Sequence, residues 1–444
     1  MRKLFLVGGA LAAVAASAAL AQSAVLVQSA AQSTAPSESA AVTAAASPVK
    51  ALADSYVATG KTPGIVIAYA RGDAPPTFAA AGAIAADAGA ARADADSLWR
   101  VYSMTKPLTG MAAMLLIEEG KLSIDQPISD FIPAFRTMRV LTDPANGLAT
   151  RPAARAITVR HLLTHTSGLT YNFLARGPIA AEYQRKGINP LTVSRQTEPG
   201  ARAARPATLA AFADAVAGVP LIADPGTAWN YSISLDVLAR VIEVAGGMPF
   251  DRFLKARFFD PLGMKSSWFT VPGSEVGRLA TNYVWAGDNR VVLDPGRGSI
   301  YLSPPSFPYG GAGLVMSARD YDRFLHMLLN EGQLDGVRVM KAETVRLAMS
   351  NLLPAGVRFG VAPTGSGGDQ GPPMGYGAGG SVYLADVPGA AGKGTYGWGG
   401  AAGTIAWIDP TRKVRVTAMV NYMPSEKWPL RPDTVRAVYA ELAR

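Results

Sequence analysis

The sequence has no cysteine and only three histidines in 444 residues. Without thiols it can form no disulfide, thiolate–metal site or cysteine nucleophile, so an apolar core has to hold the fold together. His161, His165 and His326 are too few and too scattered for a metal centre. No Gly-x-Ser-x-Gly element occurs, which removes the nucleophile elbow of one large Ser-His-Asp class. Charged residues make up only 17%, and the net charge of +9 is scattered, with no dense basic run for nucleic acid. Glu118 and Glu119 read as a solvated pair at a helix end, which gives glycoside chemistry no support.

Only the start of the chain has an apolar run resembling a membrane span. Arg2 and Lys3 precede an apolar stretch from Leu4 that ends in Ala19-Leu20-Ala21, the layout of a cleaved export signal over residues 1–21. An uncleaved anchor is the competing reading, and a lipid-modified N-terminus is excluded because it needs a cysteine. Residues 22–48, almost all Ala, Ser, Gln, Val, Thr and Pro, read as a flexible leader, with the fold beginning near Val49. These segments place the mature protein outside the cytoplasm, periplasmic or secreted, with no stable membrane insertion after cleavage.

Past the leader the hydrophobic period changes along the chain. Gly64–Tyr69, Thr77–Ala81 and Leu98–Tyr102 read as strands. Lys106–Ile117 is almost wholly apolar and closes on Glu118-Glu119-Gly120, the pattern of a helix buried on all sides. Between about 121 and 275 helical periodicity dominates, clearest in Leu235, Leu238, Ala239 and Ile242 before Gly246-Gly247. Ser317-Ala318-Arg319-Asp320 resembles a capping box for a helix through Leu328, with His326 as packing. Residues 355–380 read as loop. Thr404–Ile408 and Val414–Asn421 form a hairpin, and Asp433–Leu442 a closing helix. Strands, helices, then strands imply an α/β lobe (about 49–120 and 276–444) interrupted by a helical lobe (about 121–275).

The chemistry concentrates in Ser103-Met104-Thr105-Lys106. A serine hydroxyl is almost inert at neutral pH and needs a base beside it, and i,i+3 spacing on a helix delivers the lysine amine to it. The motif alone is weak, because Ser47 to Lys50 repeats it in the leader. Two further clusters follow in order: Trp229-Asn230-Tyr231-Ser232, and Tyr396-Gly397-Trp398-Gly399-Gly400-Ala401 before a strand. Between the first two runs Ile157 to Leu169, whose His161 and His165 suit structural hydrogen bonding.

This ordered set resembles the serine β-lactamase and penicillin-binding protein superfamily over roughly residues 50–444. Within it, the set is closest to the class C-like branch that includes the family VIII carboxylesterases. The resemblance implies a β-lactamase-like two-lobe α+β fold, an antiparallel sheet with flanking helices plus a mostly helical lobe. It also implies a serine hydrolase without cofactor or metal, acting on a small-molecule ester. Ser103 would be the nucleophile, with Lys106 and Tyr231 sharing activation and general-base duty in an order the sequence leaves open. The N–H groups of Ser103 and Ala401 would form the oxyanion hole. Trp398, Gly399 and Gly400 would contact substrate, the glycines by letting the strand approach closely.

Two departures favour esters over anionic amides. The usual Lys-Thr-Gly is replaced by Trp398-Gly399-Gly400, and the asparagine of Tyr-x-Asn is replaced by Ile233. Lys393-Gly394-Thr395 has the wrong order and reads as a decoy. The alternatives are a β-lactamase or D-alanyl-D-alanine peptidase, and a non-catalytic binding protein on the same fold. Acyl and alcohol specificity falls to the loops 136–156, 170–205 and 355–395.

Overall fold

The structure is a computed structural model that describes residues 47–360 and 373–444. The segment expected to be an export signal, residues 1–21, and most of the expected leader lie outside the described residues. The fold starts slightly earlier than expected. Helix α1 (Pro48–Ala58) has Ser47 as N-cap, its Oγ accepting from the Lys50 N–H at 3.1 Å. The second Ser-x-x-Lys is therefore a helix cap and no part of a flexible leader. Pro48 suits the first helical position, and Lys50 turns outward to pair with Asp54 at i,i+4.

Strands β1 (Gly64–Arg71) and β2 (Thr77–Gly82) follow, then helix α2 (Thr105–Glu118), helix α3 (Ser234–Gly246) and helix α4 (Ala318–Leu329). The chain returns through β3 (Met374–Tyr376), β4 (Ser381–Tyr383), β5 (Tyr396–Gly399), β6 (Ile405–Asp409) and β7 (Val414–Met419), and ends in helix α5 (Leu430–Leu442). The seven strands form one antiparallel sheet in the order β3-β4-β5-β6-β7-β1-β2, so the early and late parts of the chain meet where β1 pairs with β7. Strand β3 lies in the stretch expected to be loop. Three residues between Pro373 and Gly377, the central one glycine, carry too little alternation to read.

Period-two alternation gives the sheet two apolar faces. Ile65, Ile67, Tyr69, Trp407 and Val416 pack with Val49, Ala53 and Tyr56 of α1 and Leu430 and Val438 of α5. Val66, Ala68, Ala406, Ile408 and Met419 join the larger core with α2, α3 and α4. Arg415 falls on this second face and is neutralised by buried Asp322 of α4 at 2.8 Å.

Helix α2 is buried from Thr105 to Leu116, as its composition requires. Its Gly110 leaves no room for a side chain, because a Cβ would lie 2.1 Å from the Ala378 carbonyl oxygen. Between residues 121 and 275 short helices dominate, with a small hairpin (Arg139–Leu141 with Thr150–Pro152) and a two-residue strand, Ser267–Trp268, among them. At α4 only half of the expected capping box forms. Ser317 Oγ accepts from the Asp320 N–H, but the Asp320 carboxylate accepts from the Ser266 N–H and the Ser267 hydroxyl instead. His326 is not core packing; it is half-buried and bonds Asp73 at 3.2 Å. Among the described residues no helix is long and apolar enough to cross a membrane.

Candidate active site

The site begins at a strained turn. Leu98–Arg100 pairs with Val315–Ser317, and both backbone groups of Arg100 bond the Asn421 side chain at 3.2 Å. Two residues on, Tyr102 has φ +42, a left-handed conformation that a bulky residue adopts only when its surroundings hold it there. Its ring is fully buried, its phenol oxygen accepts from Asn282 Nδ2 at 3.1 Å, and Tyr301 packs edge-on against it. The turn bends the expected extended run away from the sheet and sets Ser103 at the threshold of α2.

Two side chains reach Ser103 Oγ, one from the same turn and one from a distant segment. Lys106 Nζ lies 3.1 Å from Ser103 Oγ and donates to the Gly311 carbonyl oxygen at 2.7 Å. The Tyr231 hydroxyl, from the segment leading into α3, lies 2.7 Å from the same Oγ. The Lys106 side chain is fully buried, its Nζ 4.6 Å from the Tyr231 ring centroid and 5.3 Å from that of Tyr171. Trp398 on β5 donates its indole N–H to the Tyr231 oxygen at 3.4 Å.

Gly399 ends β5 opposite Ile405. Gly400 is constrained by the protein itself. A Cβ there would lie 2.2 Å from Thr404 Oγ1 and 2.3 Å from the Val101 carbonyl oxygen, so glycine lets the end of β5 press against the turn before Ser103. Its own N–H is taken by the Thr404 carbonyl at 2.7 Å, and Ala401 follows. Ile233 is buried at the N-cap of α3 and gives no side-chain hydrogen bond. Lys393 is exposed, in keeping with its reading as a decoy.

Aromatic rings wall the site. Trp229 stacks on Tyr231, Phe359 packs edge-on against Trp229, and Tyr376 packs edge-on against Trp398. Burial holds the Tyr171 and Tyr376 phenols neutral, well above the usual range. The histidines are structural. His161 Nδ1 accepts from the Thr158 N–H at 3.1 Å, and burial, with Arg155 nearby, lowers its pKa to about 4. His165, at φ +58, accepts from the Ser232 N–H at 3.2 Å; burial and then Lys106 keep it neutral.

Sequence reasoning missed Tyr171 and Asp236, and it gave Gly311, part of a stretch resembling the family, no role. Asp236 is fully buried, and its Oδ1 accepts from the Gly311 N–H at 2.9 Å. Burial pushes its carboxyl up to about 7, with Lys106 and the Gly311 N–H pulling the other way. The Gly310-Gly311 pair before a strand was the one available signal, since two glycines there imply close backbone approach.

A family model described as Beta-lactamase matches residues 49–440. The chain is 35% identical over 338 residues to an uncharacterized protein of Mycobacterium tuberculosis, covering 74% of this chain and 78% of that one. It is 32% identical over 349 residues to Esterase EstB of Burkholderia gladioli, covering 73% of this chain and 78% of the esterase. Among solved structures, EstCE1, described as a hydrolase with promiscuous acyltransferase activity, matches with a TM-score of 0.70 at 27% identity. That match covers 88% of this chain and 97% of EstCE1.

Proposed function

The chain belongs to the Beta-lactamase family, and from that premise we propose that it hydrolyses small or short-chain carboxylic esters through an acyl-enzyme on Ser103. One observation carries the reading: Ser103 Oγ is within hydrogen-bond reach of both Lys106 Nζ and Tyr231 OH, at 3.1 and 2.7 Å. Ser103 attacks the ester carbonyl while its proton passes into the Lys106–Tyr231 pair. The Ser103 and Ala401 N–H groups hold the developing oxyanion, a contribution of about 3 kcal/mol for each well-aimed donor. The proton then moves to the departing alcohol, and water hydrolyses the acyl-enzyme by the reverse path.

Trp398 and Ile233 favour an ester over an anionic amide. The family's lysine would offer a cation to a substrate carboxylate, whereas the indole N–H here is directed at Tyr231. The similarity to an esterase and to a hydrolase points the same way.

Initial rates with p-nitrophenyl butyrate and with nitrocefin test the proposal. The expected result is ester turnover far above nitrocefin turnover, falling by about 10⁴-fold or more in Ser103→Ala. Dominant nitrocefin turnover would replace this reading with a β-lactamase. A folded protein that turns over neither, and takes no fluorophosphonate label, would be a binding protein.

A further inference from the structure

Asp236 has no evident structural need of a charge. Asn would fill the same space and could keep the Gly311 N–H bond without the cost of burying a carboxylate. One carboxylate oxygen, Oδ2, makes no hydrogen bond, although it is buried. Gly311 is the link to the chemistry. Its N–H donates to Asp236 Oδ1 and its carbonyl accepts from Lys106 Nζ, so a single residue stands between the acid and the amine. No other residue fits there, because a Cβ would lie 2.6 Å from Asp236 Oδ2 and 2.8 Å from the Tyr171 hydroxyl.

The charges around this link are few. Lys106, from α2, is the charged group that faces Asp236. Tyr171 faces it as a neutral phenol, Tyr231 and Tyr376 face Tyr171, and His165 faces Lys106 as a neutral imidazole. Lys106 directs two of an ammonium's three donors at Ser103 Oγ and the Gly311 carbonyl, both of them acceptors. Neither acceptor is charged, so Asp236, reached through Gly311, is the acid placed to couple to Lys106.

We propose that Asp236 is a positioning residue, the counter-charge that keeps Lys106 a cation and so leaves Tyr231 to take the Ser103 proton. The inference rests on the esterase reading for its consequence in catalysis, but the charge coupling stands without it. In the attack the Ser103 O–H bond breaks, its proton joins the Tyr231 phenolate, and Oγ bonds the ester carbon. The same proton then leaves with the alkoxide. Lys106 neither gains nor loses a proton across the step.

The first measurement needs no turnover. The carboxyl titrations of the full protein and of Lys106→Met are followed by ¹³C NMR, with the Asp236 signal assigned by its absence in Asp236→Asn. Removing the cation is expected to move that midpoint up by about one pH unit or more; an unmoved midpoint overturns the proposal. The second measurement is the pH profile of kcat/KM for p-nitrophenyl butyrate. Without a nearby negative charge the Lys106–Tyr231 pair releases its proton more readily. Asp236→Asn should therefore move the acid limb down by about one unit, and Asp236→Glu should restore it. A profile that only scales in height would make Asp236 structural and overturn the proposal. If neither form cleaves any ester, the esterase reading fails while the titration still decides the coupling.

Discussion

Asp294 and Asp236 are both fully buried, and they are bonded in opposite ways. Asp294 Oδ2 accepts from Arg100 Nε at 3.0 Å, Arg100 Nη2 at 2.5 Å and Ser299 Oγ at 2.5 Å, while its Oδ1 accepts from the Ile300 N–H at 3.1 Å. The guanidinium is equally occupied, with further bonds to the Ala280 carbonyl and the Asn421 side chain. Asp236 has one N–H bond and one bare oxygen. A saturated ion pair fixes geometry, here the strand that delivers the strained Tyr102–Ser103 turn. An under-bonded acid beside a buried amine is poorly suited to that purpose, and its charge is better explained by what it does to the amine.

The contrast is most severely tested at the saturated site. Asp294→Ala leaves Arg100 buried without its partner, which should cost about 3–5 kcal/mol in denaturant unfolding. Activity should fall with it, because the nucleophile turn hangs from that strand. A loss below about 1 kcal/mol, the value of an exposed pair, would erase the distinction between the two aspartates.

Asp236→Asn should show the reverse, and only at high pH. The folded-state carboxyl is raised from 3.8 to about 7, so its contribution to stability is full below the unfolded value and is lost as pH rises through about 7. The amide does not titrate. Variant and wild type should match near pH 4, and by pH 8 the variant should be the more stable by on the order of 2–4 kcal/mol. Unfolding free energies at the two pH values check this. Equal differences at both would mean that Asp236 does not titrate in this range.

The same contrast explains what could be read from the sequence. The Ser103–Lys106 spacing, the tyrosine and the Trp398-Gly399-Gly400 run are local patterns, and so are the β6–β7 hairpin and the buried α2. Asp236 was invisible because it lies beside the Leu235, Leu238, Ala239, Ile242 stripe and looks like an acid in the first turn of a solvated helix face. It is buried only because the loop at Gly311, 75 residues later, covers that face. Tyr102 carries no residue-type signal for a left-handed conformation, which tertiary packing imposes. Ser47 and Lys50, read as part of a flexible leader, instead start a helix, which a proline and a short polar run do not announce.

Trp398 supplies the smallest and most specific test. Its indole N–H reaches the Tyr231 oxygen at 3.4 Å, a neutral donor where the wider family carries a cation. Trp398→Phe keeps an aromatic wall beside Tyr376 and Phe359 and removes only that donor. A neutral hydrogen bond of this length is worth about 1 kcal/mol, which predicts roughly a fivefold drop in kcat with KM little changed. The loss should appear in kcat because the bond is made to the group that takes the Ser103 proton in the proposed reaction. A rise in KM with kcat intact would make Trp398 a substrate wall alone, and would leave Lys106, with Asp236 behind it, as the group that tunes the phenol.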